Sequence, residues 1–353
     1  PINLLSKKLN MSLKNLSVNK IPKSLKEKLN NKKIIKLYHL FEKSFEIKND
    51  FIVAVSGGPD SLALAFLTKI YSIKNNLNCK YFIVDHKLRE QSTSEAEKVK
   101  KILNKLSFKS SILTWKGKKP SKNIQSLARK KRYELLFNEC RKLRIKDLVL
   151  GHHIDDTLEN FFIRMIRGSG LKGLVSLGKK TTIDNINLIR PLLEFKKRDL
   201  KFISSNTFNF FVEDPSNEEE KYTRIKIRKL LSQLNKNGLS KDKLLLTMKN
   251  LKRSDQAILF YVKQNKKINS FFNVKKKELI LNKEFFNHPY EIVFRSLSDS
   301  LKLVGKMNNE VRGKKIDNII NNLRKNNSLK ETLGGCVIKK VNQSVIISKE
   351  HKI

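Results

Sequence analysis

The stretch FIVAVSGGPDSLALAFLTKIYS, residues 51–72, decides the fold. Its first five residues form a continuous apolar run with β-branched members, which predicts a buried strand. A second apolar run predicts a helix over 61–74. The Gly-Gly turn between them presents backbone N–H groups at the beginning of a helix, and that geometry suits a phosphate. The turn lacks the lysine of the familiar Gly-Lys-Ser/Thr phosphate loop, so its ligand has to be inferred from its neighbours.

Strand and helix patterns alternate along the following hundred residues. Further strands are predicted at 81–86, 110–115 and 147–153, and helices at 94–106, with Ser94 as the expected cap, and at 123–140. This alternation is typical of βαβ units and predicts an α/β fold, with a parallel Rossmann-like sheet and helices on both faces. Ligands bind beyond the carboxyl ends of such strands. SGGPDS (56–61) and GHHIDD (151–156) each follow a predicted strand, so we expect them to line one crevice.

The chain is expected to form four segments. The turn EDPSN at 213–217 ends the second of them, and the motifs GGCVIKK and QSVIIS predict two short strands in the last, with Gly334 and Gly335 at a bend. The predicted segments are a basic N-terminal extension (1–50), an α/β catalytic domain (51–217), a helical region (218–300) and a small C-terminal α+β module (301–353).

Charge and cysteine usage limit the function classes. The formal net charge is +42, of which +18 lies beyond Asn217. A lysine- and asparagine-biased composition accounts for part of the excess; the rest favours nucleic acid over a membrane or an acidic protein as partner. Three cysteines, none in a C-x-x-C pair, argue against a zinc ribbon, an Fe–S site or a disulfide framework and fit a reducing cytosol. No apolar run approaches the roughly 20 residues of a membrane span.

The N-terminal twenty residues are rich in Ser and Lys and have no acidic residue. A transit peptide has a similar composition, but it is normally rich in arginine, which this segment lacks. The pattern therefore favours a basic, partly helical extension on a cytoplasmic protein that has no membrane segment.

SGGPDS offers several groups to a phosphate. Backbone amides of the turn and the hydroxyls of Ser56 and Ser61 are donors. Asp60 would repel a bare phosphate, so its presence favours a bridging cation, most simply Mg²⁺. The alternatives are a helix cap for Asp60 and a simple tight turn for the whole motif.

GHHIDDTLEN (151–160) places two histidines and two aspartates within five residues. Such a cluster is compatible with a metal site, although zinc sites usually include cysteine. It is also compatible with a structural loop in which Asp156 or Thr157 caps the next helix. The third interpretation is a substrate site, in which Asp155 and Asp156 hold an ammonium group or orient an amine.

Two pairs of arginines stand at helical spacing. Arg129 and Arg132 are three residues apart and face the same way, so at least one is expected to meet a phosphate or an activated base. Arg224 and Arg228 lie one turn apart and are expected to bind RNA phosphates or to have a structural role. The alternative for each pair is a solvated basic helix face.

The order strand, SGGxDS, helix resembles the pyrophosphate-loop family of N-type ATP pyrophosphatases. The resemblance implies an adenine-nucleotide hydrolase-like fold and cleavage of ATP between its α- and β-phosphates. It also implies ATP binding by the loop and by the end of the second strand, that is by Ser56, Gly57, Gly58, Pro59, Asp60, Ser61, Val84, Asp85 and His86.

Further motifs narrow the resemblance. The chain resembles the tRNA(Ile)-lysidine synthase family in six motifs. They are GHHxDDxxE (151–159), NIQSLARKKRY (123–133), IRGSGLKGL (166–174), IRPLL (189–193), YTRIKIR (222–228) and TLGGCVI (332–338). The resemblance implies a ligase that joins free L-lysine to C2 of the wobble cytidine of a CAU-anticodon isoleucine tRNA through an adenylated cytidine. ATP and Mg²⁺ are the implied cofactors, and a homodimer is compatible with it.

The resemblance also implies roles for individual residues. Asp60 is the expected magnesium ligand, Asp155 and Asp156 bind lysine, and Arg224 and Arg228 contact tRNA. The expected catalytic set is Asp60, Arg129, Arg132, His152, Asp155 and Asp156, with His153 as an alternative proton relay. The rival hypotheses are a tRNA thiolase, which needs cysteines, an amidotransferase-type ligase for a small molecule, and a non-catalytic RNA-binding protein.

Overall fold

A computed structural model of the chain describes residues 21–117, 124–212, 223–306, 311–326 and 328–350. The chain divides into two compact units between Lys241 and Asp242. This division differs from the predicted boundaries after 217 and after 300. The helix that follows the first predicted boundary packs within the first unit, and strands on both sides of the second predicted boundary form one sheet. The predicted turn at 213–217 lies outside the described residues.

In its described part, which starts at residue 21, the first unit has two helices followed by alternating strands and helices. Its elements, in chain order, are α1 (Lys23–Leu29), α2 (Lys32–Ser44), β1 (Phe51–Val55), α3 (Pro59–Lys74), β2 (Cys79–Asp85), α4 (Ser92–Lys105), β3 (Ser110–Thr114), α5 (Ile124–Lys142), β4 (Asp147–Val149), α6 (Ile154–Ile166), α7 (Leu171–Leu174), β5 (Lys180–Ile183), β6 (Ile186–Ile189), α8 (Lys197–Phe208) and α9 (Thr223–Lys236).

The six strands form one sheet in the order β3-β2-β1-β4-β6-β5. Every neighbouring pair is parallel except the edge pair β5 and β6. The chain builds outward from β1 through β2 to β3, then returns to add β4 on the other side. The strand order therefore reverses between β1 and β4, and this switch point is where open α/β sheets bind ligands. The predicted α/β fold with a mostly parallel sheet is confirmed.

The side chains of β1 alternate between two cores, as a strand buried on both faces requires. Phe51, Val53 and Val55 pack on the face that α1, α2, α3, α4 and α8 cover. Ile52 packs on the opposite face, against α5. Helices thus lie on both faces of the sheet, as predicted.

Residues 21–47 belong to the first core rather than to an appended extension. Leu25, Tyr38 and Phe41 are fully buried there. The prediction of a separate extension over 1–50 is therefore wrong for its described part. The lysines of α1 and α2 lie on the outer face of two amphipathic helices, whose apolar faces are buried.

The start of α4 differs from the prediction. The helix α4 begins at Ser92, with Gln91 at the cap position, whereas Ser94 was expected to cap it. The hydroxyl of Ser94 instead donates a hydrogen bond to the carbonyl of Gln91 from inside the first turn. The helix α6 ends at Ile166, and Gly168, two residues beyond, has a φ of +67°.

The second unit packs two helices on one face of an antiparallel sheet. The sheet has the order β7-β8-β11-β10-β9, and its core is buried beneath α11 and α12. The elements are α10 (Lys241–Asn269), β7 (Ser270–Asn273), β8 (Glu278–Leu281), a 3₁₀ turn (Lys283–Phe286), α11 (Tyr290–Gly305), α12 (Gly313–Lys325), β9 (Leu329–Leu333), β10 (Cys336–Val341) and β11 (Ser344–Lys349).

The predicted strands at GGCVIKK and QSVIIS correspond to β10 and β11, and Gly334 and Gly335 have positive φ at the bend before β10. The hairpin of β7 and β8 was not predicted, because 218–300 was expected to be helical. Within the described ranges, no helix has both the length and the apolar character that a membrane span requires.

Candidate active site

The SGGPDS loop lies between β1 and α3. Gly58 is at the cap position and Pro59 is the first helical residue, where its missing N–H costs no hydrogen bond. The hydroxyl of Ser61 donates to the carbonyl of Gly58 at 2.9 Å and accepts from the backbone N–H of Ser56 at 3.1 Å. Ser61 therefore closes the loop from within the helix and fixes the backbone of the turn.

Two glycines let backbones approach closely at this loop. Gly57 has a φ of +86°, and a Cβ on it would lie 2.6 Å from Cγ2 of Val99. Its carbonyl accepts a hydrogen bond from the backbone N–H of Val212 at 2.9 Å. A Cβ on Gly151 would lie 3.3 Å from Cα of Ser61. The SGGPDS and GHHIDD segments are thus in direct backbone contact, as the crevice hypothesis expected.

Asp60 joins the two segments through its side chain. Its Oδ2 lies 3.4 Å from Nε2 of His153. Its Oδ1 is buried and has no hydrogen-bond partner among the described residues. A carboxylate oxygen left free beside a helix N-terminus and a glycine loop suits a hard divalent cation. The residues present therefore fit a magnesium ion.

The helix α6 begins with a capping box built by His153 rather than by Asp156 or Thr157 alone. Nδ1 of His153 accepts from the backbone N–H of Asp155 at 3.2 Å, and the backbone N–H of His153 donates to Oδ2 of Asp156 at 2.9 Å. The structural interpretation of GHHIDD is therefore correct in part, because Asp156 completes the cap. One oxygen of Asp156 remains for another partner.

Electrostatics set the charge of this cap. Burial lowers the pKa of His153, but its hydrogen bond to Asp60 and the nearby Asp156 outweigh that effect and raise its pKa above the ordinary value. Burial raises the pKa of Asp156, but its interactions with the His153 and His152 side chains and the hydrogen bond from the backbone N–H of His153 outweigh this effect and bring that pKa below its usual range. The carboxylate of Asp156 is therefore held in its ionised form at the start of α6.

Three carboxylates near the start of α6 each meet a basic residue from the segment 224–241. Lys241 Nζ lies 2.7 Å from Oδ1 of Asp155. Arg228 Nε donates to Oε1 of Glu159 at 2.6 Å, and Glu159 is only 2% exposed. Nη1 of Arg224, a longer contact, lies 3.6 Å from Oδ1 of Asp156.

This arrangement places Arg224 and Arg228, predicted to contact tRNA, against carboxylates of α6. No role was predicted from the sequence for Glu159 or Lys241. Glu159 stands four residues after Asp155 and three after Asp156, and this helical spacing was the signal that could have included it. Lys241 stands too far along the chain for any local pattern to connect it with Asp155.

The end of β2 meets α5. Nε of Arg132 donates to Nε2 of His86 at 3.3 Å. Burial and the charge of Arg132 lower the pKa of His86 to about 4, so the ring is neutral near pH 7. Arg129 instead donates to the hydroxyl of Tyr133 at 3.2 Å. The two arginines, which were predicted to face the same way on their helix, thus have separate hydrogen-bond partners.

Among the other residues predicted to bind ATP at the end of β2, Asp85 forms hydrogen bonds within the protein. One oxygen accepts from the backbone N–H of Lys87 at 2.9 Å and the other from the hydroxyl of Thr93 at 2.7 Å. Val84 packs half-buried against the core beneath α5. The side chain of His86 has a buried Nδ1 with no described partner, so it is the polar group that this strand end leaves available.

His152 is the remaining predicted catalytic residue. Burial is the main reason that its pKa falls to about 4, and the charges of Arg190, Arg129 and Arg224 lower it further, against the opposing charge of Asp156. Its Nδ1 is buried and lacks a hydrogen-bond partner in the described part of the chain. Arg190, which the sequence analysis did not assign, is therefore part of the electrostatic surroundings of the site.

The cysteines do not gather at this site. Cys79 and Cys140 lie in cores on opposite faces of the first sheet, and Cys336 lies in the core of the second unit. Burial raises the pKa of all three thiols, to about 11 for Cys140 and Cys336. The described residues contain no group of three or more His, Cys, Asp or Glu side chains placed to hold a metal ion.

Comparisons with known proteins agree with this geometry. The family model described as "PP-loop domain" matches residues 29–234. A protein named tRNA(Ile)-lysidine synthase from Wolbachia sp. subsp. Brugia malayi is 35% identical over 307 residues, which cover 86% of this chain and 71% of that protein. One of the same name from Orientia tsutsugamushi is 36% identical over 320 residues, covering 87% and 71%.

Among solved structures, the chain is similar to a U34-tRNA thiolase, NcsA, from Methanococcus maripaludis, which was solved with its [4Fe-4S] cluster. The TM-score is 0.53 and the identity 17%, over 62% of this chain and 78% of that one. At this identity the likeness is one of fold.

Proposed function

Because this chain belongs to the tRNA(Ile)-lysidine synthase family of PP-loop proteins, we propose that it joins free L-lysine to C2 of the wobble cytidine of a CAU-anticodon isoleucine tRNA. It is an ATP-using ligase that forms a carbon–nitrogen bond. The proposed product, lysidine, pairs with A instead of G and so changes codon reading from AUG to AUA.

In the first proposed step, the C2 carbonyl oxygen of the cytidine attacks the α-phosphate of ATP and pyrophosphate leaves. The backbone amides of the SGGPDS loop hold the departing pyrophosphate at the N-terminus of α3. The free oxygen of Asp60 would hold a magnesium ion, which would supply charge neutralisation there. The lysine-free loop suits this chemistry, because the group that it holds is the leaving group rather than a transferred γ-phosphate.

In the second step, the ε-amine of lysine attacks C2, the C2–O bond breaks, and AMP leaves. The substrate ammonium must first lose a proton, and carboxylates hold and orient it until then. Asp155 and Asp156 are the proposed lysine-binding residues. Asp155 already holds an ammonium group, that of Lys241, at 2.7 Å, which supports the suitability of its position for a lysine ε-amine. His152, neutral near pH 7, is the proposed proton relay.

The observation that carries the proposal is the contact between the two motifs. The 3.4 Å approach of His153 to Asp60 and the packing of Gly151 on Ser61 bring a phosphate loop and an ammonium-binding carboxylate cluster into one crevice. Adenylation followed by amine attack needs both in one site, because the activated base must meet the amine without leaving.

The proposed tRNA substrate fits the charge of the chain. A net charge of +42 attracts a polyanion and raises its encounter rate. The wobble cytidine must leave the anticodon stack to reach the crevice, at a cost of a few kcal/mol. We propose that basic surfaces of the second unit contact the tRNA body, and that the protein acts in the cytoplasm.

The test is incorporation of labelled lysine. The full chain is incubated with ATP, Mg²⁺, labelled L-lysine and a CAU-anticodon isoleucine transcript, and the same transcript with a GAU anticodon is the matched control. We expect label only in the CAU transcript and only with ATP. Absence of label while the CAU transcript still binds would refute the lysidine proposal.

A second measurement separates the steps. Without lysine, pyrophosphate release from ATP in the presence of the CAU transcript reports adenylation alone. Pyrophosphate release without subsequent lysine transfer would indicate a different nucleophile, as a thiolase requires.

A further inference from the structure

Arg190 is a buried cation without a described counter-ion. It is 5% exposed, and its Nη1 donates to the carbonyl of Gly178 at 3.1 Å and to the hydroxyl of Thr181 at 3.0 Å. Its Nε is buried and has no hydrogen-bond partner among the residues that the structure describes. The side chain of Tyr133 is a further hydrogen-bonding neighbour of Arg190. None of these partners is a carboxylate, so the fold hydrogen-bonds the guanidinium but does not balance its positive charge.

Such an arrangement is costly unless an anion binds. An ionised side chain loses several kcal/mol of hydration when it is buried, and a partner of opposite charge normally offsets this loss. For Arg190, burial lowers the pKa, Tyr133 opposes this effect, and the charge of Arg129 adds to it, so the pKa lies below its ordinary value. By contrast, Arg295, the buried arginine of the second unit, contacts both Asp255 and Glu291 at 2.6 Å.

Arg190 stands beside the proposed active site. It follows β6, which pairs with β4 so that Ile189 is opposite Val149. The next bond of this ladder, from the N–H of Leu150 to the carbonyl of Ile189, measures 2.9 Å. Arg190 is therefore at the carboxyl end of its strand next to the GHHIDD segment, at the edge of the sheet where ligands bind.

A second buried polar group without a described partner lies in the neighbouring GHHIDD segment. Nδ1 of His152 is buried without a described partner, and Arg190 and Arg129 are both within electrostatic reach of this imidazole. A neutral imidazole can present one N–H donor, and a guanidinium presents several in a planar fork. Donors without acceptors beside two positive charges are complementary to an oxyanion.

We propose that Arg190 and His152, with Arg129 nearer the solvent, form a binding site for a phosphoryl group. Its oxygens accept from Nε of Arg190 and from the His152 ring, and its charge balances the buried guanidinium. This site belongs to the proposed active site, so the inference rests on the proposed function. The phosphoryl group comes either from the nucleotide or from the RNA backbone beside the wobble position.

The test compares Arg190→Met and Arg190→Lys with the wild-type full chain. One arm measures the Kd of labelled ATP with Mg²⁺ and without tRNA, and the other measures the Kd of the CAU transcript without ATP at fixed salt. A hydrogen bond to a charged group predicts that Arg190→Met raises one of these Kd values about tenfold or more. A rise for ATP identifies the nucleotide as the source, and a rise for the transcript identifies the RNA backbone.

The matched control is Thr181→Val, which removes a neutral tether of Arg190 but keeps its charge. It should change either Kd by less than about threefold, since one neutral hydrogen bond contributes modestly. If Arg190→Met folds and changes neither Kd, Arg190 only anchors the residues between 178 and 181, and the proposal is wrong. If the variant changes only the lysine concentration that turnover requires, the site binds the carboxylate of lysine rather than a phosphoryl group, and the proposal is equally wrong.

Arg190→Lys covers the case in which the methionine variant does not fold. Melting temperatures are measured in phosphate and in chloride at equal ionic strength, and the phosphate-specific rise of the wild type should be reduced in Arg190→Lys, because lysine lacks the fork that binds phosphate bidentately. An equal rise in both proteins refutes the site. None of these readouts needs lysine transfer, so weakened ATP or phosphate binding without lysidine formation would sustain the site and refute the proposed function.

Discussion

Nε2 of His153 lies 3.4 Å from Oδ2 of Asp60, so the residue that caps α6 also holds the carboxylate of the phosphate loop. The contact links the ends of β1 and β4 at the point where the strand order reverses. It leaves the second oxygen of Asp60 buried and without a described partner. The geometry thus orients one carboxylate oxygen and reserves the other for a ligand.

The first prediction concerns this reserved oxygen. Asp60→Asn keeps the size of the side chain but removes the charge that a magnesium ion needs. We expect ATP-dependent turnover to fall by at least about two orders of magnitude, which is typical of losing one electrostatic group at a transferring phosphoryl centre. The Kd for tRNA should change little. Unchanged turnover in a steady-state pyrophosphate assay would remove Asp60 from the mechanism.

The second prediction separates the two tasks of His153. Asparagine is a good helix cap, so His153→Asn should retain the stability of α6 within about 0.5 kcal/mol, whereas His153→Ala should lose about 1 kcal/mol. Both variants lose the contact with Asp60, and both should lose turnover. Urea unfolding and the lysine-incorporation assay measure the two effects. Full activity of the asparagine variant would show that the contact does not position Asp60.

The third prediction compares two adjacent glycines. Gly57→Ala should destabilise the protein by about 1–3 kcal/mol, because its φ of +86° is unfavourable for alanine and the new Cβ would lie 2.6 Å from Val99 Cγ2. Gly58→Ala is the matched control: its φ is −70° and the nearest atom to a new Cβ is 3.9 Å away. Urea midpoints at constant m-value test the difference. Equal stability of the two variants would contradict the loop geometry.

Local patterns were sufficient for the sheet and the two motifs. The continuous apolar run of β1 and the Gly-Gly turn after it predict a buried strand and a ligand loop, and both are present. Local patterns fail where the partner is distant in sequence. Lys241 contacts Asp155 across 86 positions, and nothing near either residue indicates it.

Composition also misled the prediction at the N-terminus. The Ser- and Lys-rich composition of the first twenty residues predicted a basic extension over 1–50, yet Tyr38 and Phe41 of α2 are buried in the main core. From sequence alone, a short amphipathic helix with a basic face is hard to distinguish from a solvated basic segment, because the surface that its apolar face covers is not known. The hairpin of β7 and β8 was missed for a related reason, because Phe271 and Phe272 are both exposed and give no alternating pattern.

The fourth prediction concerns the contact of Arg228 with Glu159. Glu159 is almost fully buried, so Arg228→Met leaves a carboxylate without its 2.6 Å partner and should destabilise the protein by about 1–3 kcal/mol. The double variant with Glu159→Gln should recover part of this loss, which a double-mutant cycle measures. Arg224→Met is the control, since its 3.6 Å contact with Asp156 is more exposed and should contribute under about 1 kcal/mol. Additive losses in the cycle would show that the pair does not interact.

The last prediction concerns the charge of His86. Burial first, and then the charge of Arg132, lower its pKa to about 4. A lowered folded-state pKa means that the unfolded chain binds the proton more tightly, so this histidine's contribution to stability is complete above about pH 6.5 and is lost as the pH falls toward 4. Arg132→Gln removes only the second cause. The pKa of His86 should therefore rise but stay below 6.5.

An NMR titration of the imidazole resonances measures this shift, and the missing resonance of His86→Gln assigns the signal. Arg141→Gln, which changes an exposed arginine elsewhere on α5, is the matched control and should leave the titration unchanged. The same experiment has a consequence for the site. A ring that remains neutral at pH 7 can accept the hydrogen bond from Arg132 that orients this guanidinium, whereas a protonated ring would repel it. An unchanged pKa in Arg132→Gln would show that burial alone keeps His86 neutral and that Arg132 is oriented by other contacts.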